Sequence, residues 1–149
     1  MSHTIPQIRK RTPMWVYEKN YALLRRLLPF LQQASPGTRA VARHEGERVI
    51  VTLIENSPYT QVLALRQDVQ HGSGYLQALD FHVRLYDDAR VADVIRYQDQ
   101  RHLHGRYPYP NDCMHQPDEK RQSNLLLHEW LCLLHGRAFE IEQACPQVC

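Results

Sequence analysis

Apolar positions recur with a helical period near both ends of the chain and with a strand period between them. Thr12-Pro13 predicts a helix start, with the hydroxyl as N-cap and proline at the first helical position. On a 3.6-residue wheel Val16, Tyr17, Leu23, Leu24, Leu27 and Leu28 then share one side. Glu18, Lys19, Arg25 and Arg26 share the other. Asn20 interrupts the apolar stripe, so it is expected buried or half-buried, with its amide bonded to a neighbouring backbone group. Pro29 limits the helix, and Ser35-Pro36-Gly37 closes the segment.

From Thr38 to about Gln98 the period is that of a strand. Thr38–His44 predicts a weak strand, Glu45-Gly46-Glu47 a turn, and Arg48–Glu55 a strong strand. Apolar residues on both faces of that strand place it centrally, partly covered on each side. Asn56-Ser57-Pro58 predicts the next turn and Tyr59–Gln67 another strand. Residues 68–77, with His71-Gly72-Ser73-Gly74, are expected as one long flexible loop. Leu79, Phe81, Val83 and Leu85 alternate with Asp80, His82, Arg84 and Tyr86, the signature of a half-buried strand. After Asp87-Asp88 a last strand returns over Arg90–Tyr97. About five strands joined by tight turns predict an antiparallel meander. A helix at each end covers one face, giving an α+β fold.

Residues 99–116 read as irregular and proline-rich, and Pro117 opens the second helix, which Gly136 ends. Asp118 and Glu119 suit its first turn, where carboxylates oppose the positive end of the helix dipole. Its core stripe is expected to be Leu126, Leu127, Trp130, Leu133 and Leu134, with Glu119 and Ser123 projecting on the same side. His115, Lys120, Arg106 or a backbone amide would then partner Glu119.

A chain of 149 residues is expected to form one domain with a single core. The layout is a flexible arm at 1–11, the α+β domain at 12–142 and a tail at 143–149. A net charge of +2 makes no molecule-wide case for nucleic acid or an anionic membrane. The polar, basic N-terminal stretch lacks a secretory apolar region, and no run nears the roughly 18 apolar residues of a spanning helix. A cytoplasmic location is therefore expected, with Cys113, Cys132, Cys145 and Cys149 reduced. Oligomeric state is not readable.

The segments Arg25-Arg26-Leu27-Leu28-Pro29, Val83-Arg84-Leu85-Tyr86-Asp87-Asp88-Ala89 and Tyr107–Asn124 carry a resemblance. Within the last, Tyr109-Pro110-Asn111, His115-Gln116, Asp118-Glu119-Lys120, Gln122 and Asn124 precede Trp130-Leu131. This pattern resembles the YqiB-like family of small proteobacterial proteins, a domain of unknown function. The resemblance runs from the first helix to Gly136 and implies a soluble bacterial single-domain protein, with no activity attached.

The candidate ligand-binding residues are Tyr109, Asn111, His115, Gln116, Asp118, Glu119, Lys120, Gln122, Asn124 and Arg84. The leading expectation is a non-enzymatic binding or adaptor protein, recognising another protein or a small anionic ligand through Tyr107–Asn124. A small hydrolase or transferase with His115 and Glu119 as acid/base pair, with or without a metal, is the alternative. A third reading uses Arg66, His82, Arg84, Tyr86 and Arg96 as a basic-aromatic sheet face for single-stranded nucleic acid, which the interspersed Asp80, Asp87, Asp88 and Asp93 weaken. The plain structural reading is a locked loop, with Asn111 in an Asx-turn and His115 and Glu119 bonded locally. His128, Cys132 and His135 share one helix side at metal-ligand types, but they span two turns with no fourth ligand. No metal or cofactor is therefore expected.

Overall fold

The computed structural model describes residues 12–99 and 117–142. The elements run α1 (Met14–Leu27), a 3-10 turn (Leu31–Gln33), β1 (Arg39–His44), β2 (Glu47–Asn56), β3 (Thr60–His71), β4 (Gly74–Tyr86), β5 (Val91–Asp99), α2 (Pro117–Leu133) and β6 (Glu140–Glu142). They form a six-stranded antiparallel sheet in the order β5-β4-β3-β2-β1-β6, an α+β architecture with both helices on one face. The expected arm at 1–11, most of the irregular 99–116 segment and the tail at 143–149 lie outside the described residues. Among the described residues no helix is long and apolar enough to cross a membrane.

Helix α1 begins one residue later than the hydroxyl–proline pair predicts. Pro13 is itself the cap residue, in extended conformation at φ −62° and ψ 143°, with no side-chain cap. The Thr12 hydroxyl is buried without a bond among the described residues. Arg25 and Arg26 occupy the last turn, where cations complement the helix dipole. Val16, Leu24 and Leu28 are buried as the wheel requires, joined by Tyr21.

Strand alternation sorts the sheet into a core face and an outer face. Val49, Val51 and Leu53 of β2 meet Gln67, Leu65 and Leu63 of β3 in register. Leu65 in turn meets Phe81 of β4, which faces Tyr97 of β5. The Phe81 ring lies 5.0 Å from Tyr97 and 5.3 Å from Trp130 of α2, so an aromatic cluster joins two strands to the second helix. The buried stripe of α2 is Leu127, Trp130, Leu131 and Leu134. Leu133, expected in that stripe, is 72% exposed, and Leu131 takes its place. The helix is rotated relative to the predicted wheel so that i, i+3, i+4 and i+7 from Leu127 face the sheet.

The expected long loop at 68–77 is instead strand on both sides of a two-residue turn, with His71 opposite Gly74. A bulge in β4 leaves Ala78 as the extra residue opposite Gln67 and Asp68, so the apolar pattern stops looking regular where pairing continues. Gly72, at φ 62°, supplies the positive dihedral of the turn's first central position. The sixth strand, β6, pairs with β1 through Glu140, Ile141 and Glu142, and its shortness hides it from periodicity.

Candidate functional site

Helix α2 meets the sheet at β5, the edge strand among the described residues, and the meeting is polar. Edge strands present unpaired backbone groups that must be covered or solvated. At β5 a bulge leaves Ile95 as the extra residue between Val94, opposite Val83, and Arg96, opposite His82. Val94 N–H donates to Oδ1 of Asn124 at 3.0 Å, and Lys120 Nζ donates to the Val94 carbonyl at 3.2 Å. Side chains of the helix therefore satisfy the backbone groups of Val94 as a neighbouring strand would.

The same two residues grip Asp93. Lys120 Nζ lies 2.9 Å from its Oδ2, and Asn124 Nδ2 donates to its Oδ1 at 3.2 Å. Asn124 Nδ2 also donates to the Lys120 carbonyl at 2.9 Å, as does Ser123 Oγ at 3.0 Å. Asn124 and Ser123 are buried. Lys120, one of the four partners expected for Glu119, pairs with Asp93. From the Asn124 carbonyl the chain of bonds passes to Asn20 Nδ2 of α1 at 3.1 Å, then from Asn20 Oδ1 to His128 Nδ1 at 3.1 Å. Asn20 is fully buried and bonded to a backbone carbonyl, as its place in the apolar stripe predicts. What the sequence did not reveal is that its partners come from the second helix.

Of the other candidates, Glu119 is half-buried and bonded, Gln122 is exposed, and Asp118 stands in the first turn of α2. Tyr109, Asn111, His115 and Gln116 lie outside the described residues. Arg84 lies on the outer sheet face, in register with Val62 and with Asp93, the carboxylate that Lys120 and Asn124 hold. That face does align Arg66, His82, Arg84 and Arg96 on neighbouring strands. Its charge is partly spent internally. Buried Asp68 takes Arg48 Nε at 3.1 Å and Arg66 Nη2 at 3.0 Å, while Arg39 and Arg43 approach Glu142. A shallow polar hollow of about 330 Å3 opens there beside Arg66, Asp80 and His82. Of the metal candidates, His128 and Cys132 touch, and His135 is exposed. Among the described residues no group of three or more His, Cys, Asp or Glu is placed to hold a metal.

The largest described cleft is one that sequence reasoning did not single out. It measures about 870 Å3 and lies between α1 and the β4–β5 turn, lined by Glu18, Tyr21, Arg25, Gln32, Asp87 and Arg90 among others. Asp87 Oδ1 accepts from Tyr21 Oη at 2.9 Å and from Arg25 Nη2. The Arg25 guanidinium lies 5.1 Å from the Tyr21 ring centroid, yet its Nε and Nη1 are shielded from solvent with no acceptor among the described residues. Arg90 stands exposed at the rim with φ 58°, its N–H donating to the Tyr86 carbonyl at 2.7 Å. The cleft brings together two segments that carried the resemblance, Arg25–Pro29 and Val83–Ala89. Arg and Asp in those segments were the available signal, but nothing in their spacing announces that they meet.

Comparison with known proteins adds a family. The profile of a family described as "Protein of unknown function (DUF1249)" matches residues 23–138. The chain is 38% identical over 125 residues to the uncharacterised protein YqiB of Escherichia coli strain K12, covering 83% of this chain and 87% of the relative. The same identity and coverage hold for YqiB of Escherichia coli O157:H7. No solved structure matches.

Proposed function

This chain belongs to the DUF1249 family of proteins of unknown function, and from that premise we propose a non-enzymatic binding protein for a small molecule bearing a carboxylate or phosphate group. The observation that carries the reading is the under-satisfied Arg25 guanidinium in the cleft between α1 and the β4–β5 turn. Asp87 pairs the charge through Nη2, but the shielded N–H groups at Nε and Nη1 are costly without an acceptor, and an anionic oxygen or ordered water is what normally relieves such groups. The cleft's volume suits a small molecule. Asp87 and Tyr21 hold Arg25 in place, and Arg90 offers a second guanidinium at the rim. Arginine is the side chain best matched to carboxylate and phosphate oxygens.

Thermal melting in inorganic phosphate, against sodium chloride of equal ionic strength, tests this. Phosphate raises the melting temperature of the wild type, since a ligand that binds only the folded state stabilises it. Arg90→Ala removes the rise while leaving stability in chloride within roughly 0.5 kcal/mol. Equal melting in both salts for wild type and variant would overturn the reading.

A protein partner taken through Tyr107–Asn124 is the second reading. It is supported by the Lys120–Asp93–Asn124 joint, which pins the end of that segment to the sheet and so provides a rigid base for a recognition surface. Native mass spectrometry separates the two. A bound mass lost on Arg90→Ala locates the ligand in the cleft; one lost on combined Asn111→Ala, His115→Ala and Gln122→Ala locates it at the segment.

A further inference from the structure

Cys132 lies exposed on α2, one turn after His128, with Sγ 3.7 Å from the imidazole Nε2. The rest of the contact chain decides which nitrogen carries the proton. Asn20 Nδ2 faces the Asn124 carbonyl at 3.1 Å, and a carbonyl can only accept, so this end of the amide must be the NH2 group. The Asn20 oxygen is then the end that faces His128 Nδ1, at 3.1 Å. An oxygen that only accepts requires Nδ1–H as donor, which leaves the lone pair of neutral imidazole on Nε2, pointing at the thiol. Trp15 packs against the ring in a T-shaped contact at 5.2 Å and 87°. The imidazole is thereby oriented by a fully buried amide on one side and an indole on another.

We propose that Cys132 is a nucleophilic thiol site, with His128 as its proton acceptor and Asn20 as the residue that positions His128. A thiol beside a base held by a third group is the general arrangement for an activated sulfur nucleophile. The site sits on an open helix face, so its co-reactant is a low-molecular-weight disulfide. His128 Nε2 takes the proton from Cys132. The thiolate attacks one sulfur of the disulfide R–S–S–R and forms the mixed disulfide Cys132–S–S–R. The S–S bond breaks and its electron pair leaves on RS⁻, which recovers the proton from His128. Cys132 is oxidised and the departing half of the disulfide is reduced. Attack by a second small thiol on the mixed disulfide restores Cys132.

The test incubates the folded full-length protein with oxidised glutathione at neutral pH and follows each cysteine peptide by mass spectrometry. The same chain unfolded in urea gives the reference rate for an unassisted thiol. The expected result is modification of Cys132 about tenfold or more faster in the folded protein than in the unfolded chain. His128→Gln removes the base and the donor that faces Asn20 Oδ1; it is expected to unfold cooperatively at a melting temperature a few degrees lower, and it abolishes that excess. A folded-state rate at Cys132 no higher than the unfolded rate overturns the proposal. So does an excess that survives His128→Gln, or faster modification at Cys113, Cys145 or Cys149 than at Cys132.

Discussion

Asn124→Ala removes the acceptor of Val94 N–H and a donor to the Asp93 carboxylate in one step, both at a buried joint. Leaving buried polar groups unpaired costs about 1–3 kcal/mol each, so the variant is expected to lose roughly 2–4 kcal/mol in urea unfolding. Glu129→Ala, at an exposed position on the same helix, is expected to change stability by less than about 0.5 kcal/mol. Equal effects for the pair would remove Asn124 from the joint. A comparable argument holds on the outer face. Asp68 is buried between Arg48 and Arg66, so Asp68→Ala strands two guanidiniums next to a desolvated site. The expected loss is about 2–4 kcal/mol. The matching change at Glu142, whose pairs with Arg39 and Arg43 are exposed, is expected to stay below about 1 kcal/mol.

Among the elements, the β1–β2 hairpin shows how a local rule is bent. His44 faces Glu47 across a two-residue turn, and both central residues have positive φ, Glu45 at 46° and Gly46 at 83°. That is the type I′ pattern, which suits asparagine–glycine far better than glutamate–glycine. Glu45→Asn is therefore expected to raise stability by about 0.5–1 kcal/mol, read from the urea midpoint at unchanged m-value. The turns Glu45-Gly46 and Gly72-Ser73 were visible in the sequence as glycine signals. Their reach was not equally visible. Around Gly46 the alternation is clean up to the turn, so the strands were read closely. Around Gly72 the bulge at Ala78, opposite Gln67 and Asp68, and the polar run Gln70-His71 break the period, and strand was mistaken for loop. Both helices were legible because their apolar stripes are long. The rotation of α2 was not, because Leu126, Leu127, Leu131, Leu133 and Leu134 spread over an arc wider than one buried stripe, and only packing on the sheet selects which of them is buried.

Across the molecule as a whole, the α+β class follows from periodicity, while the polar seam depends on contacts between residues far apart in sequence. Asn20 was recognisably out of place in an apolar stripe, and Lys120 and Asn124 were recognisable as an unusual polar set. Their union with Asp93 and Val94 needed the edge of a sheet whose bulge no periodicity reports. This seam ties α1, α2 and β5 together through one run of hydrogen bonds. An edge strand ordinarily exchanges its outward amides quickly, because they open without disturbing the rest of the sheet. The Val94 amide is closed off by a buried side chain on α2. Native-state hydrogen exchange is expected to protect it nearly as well as the central amides of β3. In Asn124→Ala the Val94 amide then falls to fast exchange, whereas β3 loses only the protection that global destabilisation takes from every amide. If Val94 exchanges rapidly in the wild type, the helix does not hold the edge, and the seam is not what joins the two helices to the sheet.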